Sequence, residues 1–533
     1  MKHPSAPAMT GPLAILILTM ALAARPASAQ LTDVTQTPNT VGAGIQKSFV
    51  QQVGPGRGNW VTPESSSFLI ARDPFRSIVR GRQIFQRKFT DSQGLGPRLQ
   101  DGIGNIAAHP GVGAGLADSC AACHSRPFGS AGFGGNVFTR PDSRDAPHLF
   151  GLGLKEMLAD EITQELRAIR KRALAQAQQL GVSVTWPLTA KGIQYGAIIA
   201  HSDGSVDTSL VEGVDADLRV RPFFAEGRTI SIREFSVGAF KAEMGLEGFD
   251  VDLARASNGH DILTPSGMRL NGTTDAIEPP PVLSPHEDGD LDGVVDEVPT
   301  SSIDHLEFYL LNYFTPGNGR QTPQTASGLA TMGTIGCLEC HVKDLTVQRD
   351  RRVADVETVY DPPQANGVFS MLHGTATPLY TAIDDGSGWP YLRLPTMNPF
   401  VVQGFFSDLK RHDLGPAFHE RRFDGTVATQ FMTTPLWGVG STPPYGHDGR
   451  SMTLEDVIAW HGGEARFVRD AFLQLGETQR QEVIAFLTSL VLFSPPDTPS
   501  NLEPANLGHP QFPLVAHGSI NLSVLFNDPN DRE

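Results

Sequence analysis

The chain has 533 residues, and its 42 Lys and Arg against 58 Asp and Glu give a formal net charge of −16, which argues against a protein held to nucleic acid through its phosphates. Apolar residues at 40% and charged residues at 19% exclude disorder throughout, and the length suggests roughly two or three domains. The 55 Gly and 40 Pro point to long ordered loops between short elements.

In chain order, Lys2 and His3 precede an apolar run from Leu13 to Ala24 and then Ala27-Ser28-Ala29. These are the three regions of an export signal over residues 1–29, with cleavage expected after Ala29. The run is too short to cross a bilayer as a helix, so the mature protein is expected to be soluble, not membrane-spanning, and periplasmic. Its acidity suits steering of a small basic partner, and equally plain solubility. Residues 30–72, rich in Gly, Ser, Thr and Gln with little periodicity, read as an extended N-terminal arm.

An N-terminal haem domain is expected over residues 73–280. Gly81-Arg-Gln-Ile-Phe85 begins a helical pattern, and a Gly-rich loop leads on to Cys120-Ala-Ala-Cys123-His124. Two thiols three positions apart each add to one vinyl group of a haem, and the adjoining histidine binds its iron. A redox Cys-x-x-Cys pair or a four-cysteine zinc site uses similar pairs, but neither needs a histidine directly after each. Residues Glu156 to Leu180 read as an amphipathic scaffold helix.

Residues 281–301 are an acidic linker. Asp288, Asp290, Asp292 and Asp296 fall at positions one, three, five and nine of a calcium loop with Gly293 at six. Position twelve is Pro299, with Glu297 as the substitute acid; the alternative is a solvated acidic turn.

A C-terminal haem domain is expected over residues 302–495. A helical run from Ile303 leads to Cys337-Leu-Glu-Cys340-His341, so every cysteine belongs to a haem-attachment motif. Thioether attachment takes place outside the cytoplasmic membrane, in accord with the export signal. Thr478 to Phe493 reads as a closing helix before Pro495-Pro496, and residues 496–533 as a C-terminal tail. The fold class is mainly α, two cytochrome c-like haem domains with long loops and few short strands.

An internal repeat distinguishes the two irons. Gly227 to Ala239 aligns without gaps on Gly449 to His461. Ser231 with Glu234, and Thr453 with Asp456, stand at the N-cap and third helical position. Leu454, Val457 and Ile458 share a face with position 461, as Ile232 and Phe235 do with position 239. His461 is therefore expected to complete a bis-histidine iron with His341, whereas Ala239 leaves the iron of His124 open. Met452 and His447 compete with His461, and His109 or His148 would close the first iron.

These residues resemble the bacterial di-haem cytochrome c peroxidases and their methylamine-oxidising relatives, and most closely the large di-haem oxidoreductase family, peroxidase-like and thiol oxidoreductase-like. The resemblance runs from roughly Gly81 to Leu492. It is carried by Ser119-Cys-Ala-Ala-Cys-His124, Pro147-His-Leu-Phe-Gly-Leu-Gly153, Arg221-Pro-Phe-Phe224, Ala242-Glu-Met-Gly245, Thr434-Pro-Leu-Trp-Gly-Val-Gly440, Pro444-Tyr-Gly-His-Asp-Gly-Arg450 and Trp460-His-Gly-Gly-Glu464. It implies an open N-terminal haem c that reduces hydrogen peroxide or another small oxidant. It also implies a C-terminal haem c that relays electrons from a redox partner protein.

Relatives keep a distal glutamate in a Glu-Met pair, and Glu243-Met244 is the match here, two residues closer to the Gly-Arg pair. The resemblance thus implies Glu243 as the catalytic acid/base, moving a proton from the inner peroxide oxygen to the outer one; the alternative is an exposed glutamate at a helix end. Phe240, three residues earlier, would share its face. At the position of His461 relatives carry Met or Tyr, and imidazole lowers the iron potential relative to thioether. Where they carry a Trp between the haems stands Ala225, beside Phe224, which leaves Trp389, Trp437 or Trp460 as the stepping residue. The alternatives are oxygenase-type oxidation of an organic substrate against Phe223, Phe224 and Phe240, or a substrate-free electron-transfer cytochrome.

Overall fold

The structure, a computed structural model, describes residues 54–90, 93–95, 117–124, 136–137, 144–313, 321–360, 372–421 and 425–492. The expected export signal, residues 30–53 of the expected arm, His109 and the expected C-terminal tail lie outside the described residues. Within them the protein is mainly α, with eleven α-helices and short antiparallel strand pairs. The helices are α1 (Ser66–Arg72), α2 (Pro74–Gln86), α3 (Cys120–Cys123), α4 (Leu152–Leu180), α5 (Ile232–Ala239), α6 (Val251–Ser257), α7 (Thr300–Asn312), α8 (Pro323–Ile335), α9 (Leu454–Trp460), α10 (Arg466–Gln474) and α11 (Glu477–Thr488).

The expected arm is not extended at its end: α1 is buried along its whole length, and Ser65 caps it by accepting the Phe68 N–H. Pro at the first turn starts α2 seven residues before the pattern read from Gly81. Gly81 consequently sits inside the helix, where a Cβ would lie 2.1 Å from the His305 carbonyl oxygen and 2.5 Å from the Tyr309 Cβ of α7. Gly328 of α8 allows the same close crossing, 2.0 Å from the Glu482 carbonyl oxygen and 3.0 Å from the Phe486 Cβ of α11. Each crossing joins the helix preceding a Cys-x-x-Cys-His motif to a later helix that offers an aromatic residue at the contact. Helix α7 is buried on every side, so its sequence carries no face to say which core it joins.

Three cores result. The first gathers Ile78 and Phe85 of α2, Phe150, Ile232 and α7 around Cys120 and Cys123. The second packs α4 on the antiparallel strands 184–190 and 193–200. Leu158, Ile162, Leu166, Ile169, Ala173 and Ala177 of α4 recur at helical spacing toward Leu188, Tyr195 and Ile198. Each such Leu or Ile contributes about 1.5–3 kcal/mol when buried. The third core joins Met332, Phe406, Leu454, Phe472 and Phe486 beside Cys337.

Arg233 on α5 is buried and donates to Asp250, Asp304 and Glu307, while Arg57 pairs with Asp252 and Asp304. Burial demands such pairing, because an isolated charge loses its hydration without return. The cluster pins the helix whose last residue is Ala239.

Candidate functional site

Ser119 caps α3 through the Ala122 N–H at 3.1 Å. Gly336, at φ +97°, turns the chain from α8 into the short helix Cys337–Glu339, a conformation that a side chain would strain. Both motifs open on one cavity of about 890 Å³. No disulfide joins any of the four cysteines. The two pairs do not converge on a four-cysteine metal site. Among the described residues Cys340 clusters with Asp408 and His412 instead.

Three imidazoles on the cavity wall share one arrangement. His124 Nδ1 bonds the Pro147 carbonyl at 2.7 Å, His341 Nδ1 that of Phe406 at 3.1 Å, and His461 Nδ1 that of Val457 at 2.7 Å. With Nδ1–H donated to a carbonyl, Nε2 keeps its lone pair, the orientation that backbone partners impose on metal-ligating histidines. Burial lowers both His341, to about 4, and His461, which favours the neutral ligating form. His461 also lies close enough to His341 to add to its depression.

The competing ligands are placed differently. Met452 is 69% exposed and off the cavity wall. His447 lines the same cavity, but it stacks on Phe431 with centroids 4.2 Å apart and has its Nε2 3.3 Å from the Glu420 carboxylate. His148, next to the Pro147 carbonyl that bonds His124, also lines the cavity and holds its Nε2 3.0 Å from the Trp437 carbonyl oxygen.

The repeat folds as the spacing predicts at its start. Ser231 accepts the Glu234 N–H at 3.0 Å, and Thr453 accepts the Asp456 N–H at 3.1 Å. The ends differ: α9 stops at Trp460, so His461 caps it, while α5 runs on through Ala239 into a π-helical turn, Phe240–Met244. That turn shifts the side-chain register. Phe240 therefore leaves the cavity wall and packs edge-on against Phe89, contrary to the expectation that it shares the face of Glu243. Glu243 does line the cavity, and its carboxylate helps burial to raise the Cys123 thiol. Phe223, Phe224 and Phe235 cluster beside it, with the Lys155 ammonium 5.9 Å from the Phe223 ring.

Of the three tryptophans, Trp437 is on the cavity wall, buried against Phe405. Trp389 and Trp460 are 40% and 46% exposed and lie off that wall. His412 escaped the sequence reading. It sits between Asp408 at 2.9 Å and Glu464 at 2.7 Å, and although burial opposes its charge, Asp408 raises it. Asp408 is a local partner four residues earlier, whereas Glu464 arrives by tertiary packing.

In the acidic loop, oxygens of Asp288, Asp290 and Asp292 lie within 4.8 Å of one another, and Asp296 stands outside the group. Asp296, at φ +52°, is held instead within electrostatic reach of His286.

Residues 345–490 match the family model described as "Di-haem oxidoreductase, putative peroxidase". No curated protein matches the chain. Among solved structures, xenon-pressurized hydrazine synthase of Kuenenia stuttgartiensis aligns with 85% of this chain and 98% of its own, at 14% identity and a TM-score of 0.24.

Proposed function

We propose, for a chain whose residues 345–490 match the di-haem oxidoreductase family model, a periplasmic peroxidase with two covalent haems c of unequal roles. The donor set fits the cofactor: two thiol pairs and three imidazoles, each with its Nδ1 held by a backbone carbonyl, line one cavity. Cys120 and Cys123 would hold the first haem with His124 on its iron, and Cys337 and Cys340 the second, with His341 and His461. We read each glycine crossing, at Gly81 and at Gly328, as the closure of one cytochrome c-like module, so that α7 belongs to the N-terminal one.

The observation that carries the reading is the contrast within the repeat, where His461 turns an Nε2 to the cavity and Ala239 offers only a methyl group. When bound, the haems supply iron that passes electrons and reduces peroxide, two electrons and two protons per molecule giving two waters. Ala239 leaves room above the first site. Glu243 takes the proton of the inner peroxide oxygen and delivers it to the outer one, so that water departs. Phe223, Phe224 and Phe235 limit access of bulk water there. A redox partner protein serves as electron donor to the second site, and the export signal supports the periplasmic location.

The apolar cluster of Phe223, Phe224 and Phe235 favours a second reading, oxidation of an organic substrate at the open site. Electron paramagnetic resonance of the ferric protein tests the asymmetry: one high-spin and one low-spin iron are expected. Wholly low-spin iron would leave an electron carrier. Peroxide consumption with a reduced donor then separates peroxidase from oxygenase.

A further inference from the structure

The acidic loop lacks the twelfth-position carboxylate of a calcium loop, since Pro299 stands there, and Asp296 turns away from the other three aspartates. The Glu247 carboxylate, which like Asp296 stands outside that group of three, lies against the loop from another segment of the chain. Glu247 is 5% exposed, and a Cβ on Gly289 would lie 2.3 Å from its Oε2. Since Gly289 sits between Asp288 and Asp290, the glycine is what allows the Glu247 carboxylate to lie against the loop. The Gly289 and Asp290 amides favour its charged form, yet Oε2 accepts no hydrogen bond of ordinary geometry, and neither does Asp290 Oδ2. A buried carboxylate oxygen without a partner loses its hydration uncompensated.

The surroundings add negative charge. Glu297, also buried, accepts the Glu247 backbone N–H at 2.5 Å and lies within electrostatic reach of Asp290, Asp292 and Glu247. Lys241 is near enough to act on Glu247, but among the described residues no lysine or arginine forms an ion pair with Glu247, Asp288, Asp290 or Glu297. Five carboxylates thus crowd one small region. Oxygen donors without nitrogen or sulfur suit a hard cation, and an irregular set with many carboxylates suits Ca²⁺ better than Mg²⁺, which keeps its octahedral water shell.

We propose that Glu247 joins Asp288, Asp290 and Asp292 in binding one Ca²⁺, and that this ion ties the acidic loop to the chain segment leaving Glu243. Glu247 is four residues beyond Glu243, just past the π-helical turn. An ion shared with the loop therefore anchors the end of the segment that carries Glu243 into the cavity. This second part rests on Glu243 standing over the N-terminal haem, whereas the binding site itself does not.

The test uses full-length holoprotein treated with EGTA, desalted, and titrated calorimetrically with CaCl₂. One Ca²⁺ per chain and a rise in melting temperature are expected, and Glu247→Gln should weaken binding by about tenfold or more. Asp290→Asn serves as the second variant if Glu247→Gln does not accumulate as folded, haem-loaded protein. Wild type that binds no Ca²⁺, or a Glu247→Gln protein that binds it with unchanged affinity, overturns the site. Chelation should also alter the high-spin ferric signal and leave the low-spin one unchanged. A high-spin signal indifferent to chelation, in protein whose titration shows the site, overturns the tether alone.

Discussion

His148 and Trp437 are joined by a 3.0 Å hydrogen bond from the imidazole Nε2 to the tryptophan's backbone carbonyl. The residue before His148 is Pro147, whose carbonyl orients His124, and Trp437 lines the cavity that also receives the second motif. Two consecutive residues thus connect the surroundings of the two Cys-x-x-Cys-His motifs.

Trp437→Phe is accordingly expected to slow electron transfer between the haems, measured as the reoxidation of the low-spin iron after rapid mixing with peroxide. Trp389→Phe and Trp460→Phe, altering residues off the cavity wall, should leave that rate unchanged. An unaltered rate in Trp437→Phe would remove the indole from the route.

His461→Ala should convert the low-spin iron to a high-spin one, since neither Met452, on the surface, nor His447, stacked on Phe431 and facing Glu420, is poised to replace it. His461→Met should keep six ligands and raise the midpoint potential, as thioether favours the ferrous state. Retention of the low-spin signal in the alanine variant would reassign the ligand.

How much of this was legible in the sequence depended on range. The attachment motifs and the caps at Ser231 and Thr453 are local, and spacing alone located them. The π-helical turn that moves Phe240 off the wall had no local signature. Neither did the pairing of His412 with Glu464, nor the approach of Glu247 to a loop some forty residues later. Helix α7 was legible as a helix but not in its packing, because apolar residues on every side name no preferred neighbour.

Glu243→Gln keeps the size of the side chain and removes its ability to ferry a proton. Peroxide turnover should fall by about 10²- to 10⁴-fold, the usual worth of a positioned acid/base, while both ferric signals persist. Turnover within a few-fold of wild type would exclude the carboxylate from the chemistry.

Arg233→Met tests the charge cluster under α5. Removing the guanidinium leaves Asp250, Asp304 and Glu307 buried without it, a loss of about 3–5 kcal/mol, read as a lower urea midpoint at pH 7. The cluster also predicts a pH dependence. Burial alone would raise the Asp304 carboxyl, but Arg233 and Arg57 overcome it and hold it at about 2, below the usual 3.8. A depressed carboxyl contributes stability that is present above pH 3.8 and disappears as the pH falls toward 2, worth about 2 kcal/mol. In Arg233→Met that contribution shrinks, so acid unfolding followed by circular dichroism should begin at higher pH than in wild type. Coincident acid transitions in the two proteins would mean that Arg57 and Ser66, which also bond Asp304, hold its charge without Arg233.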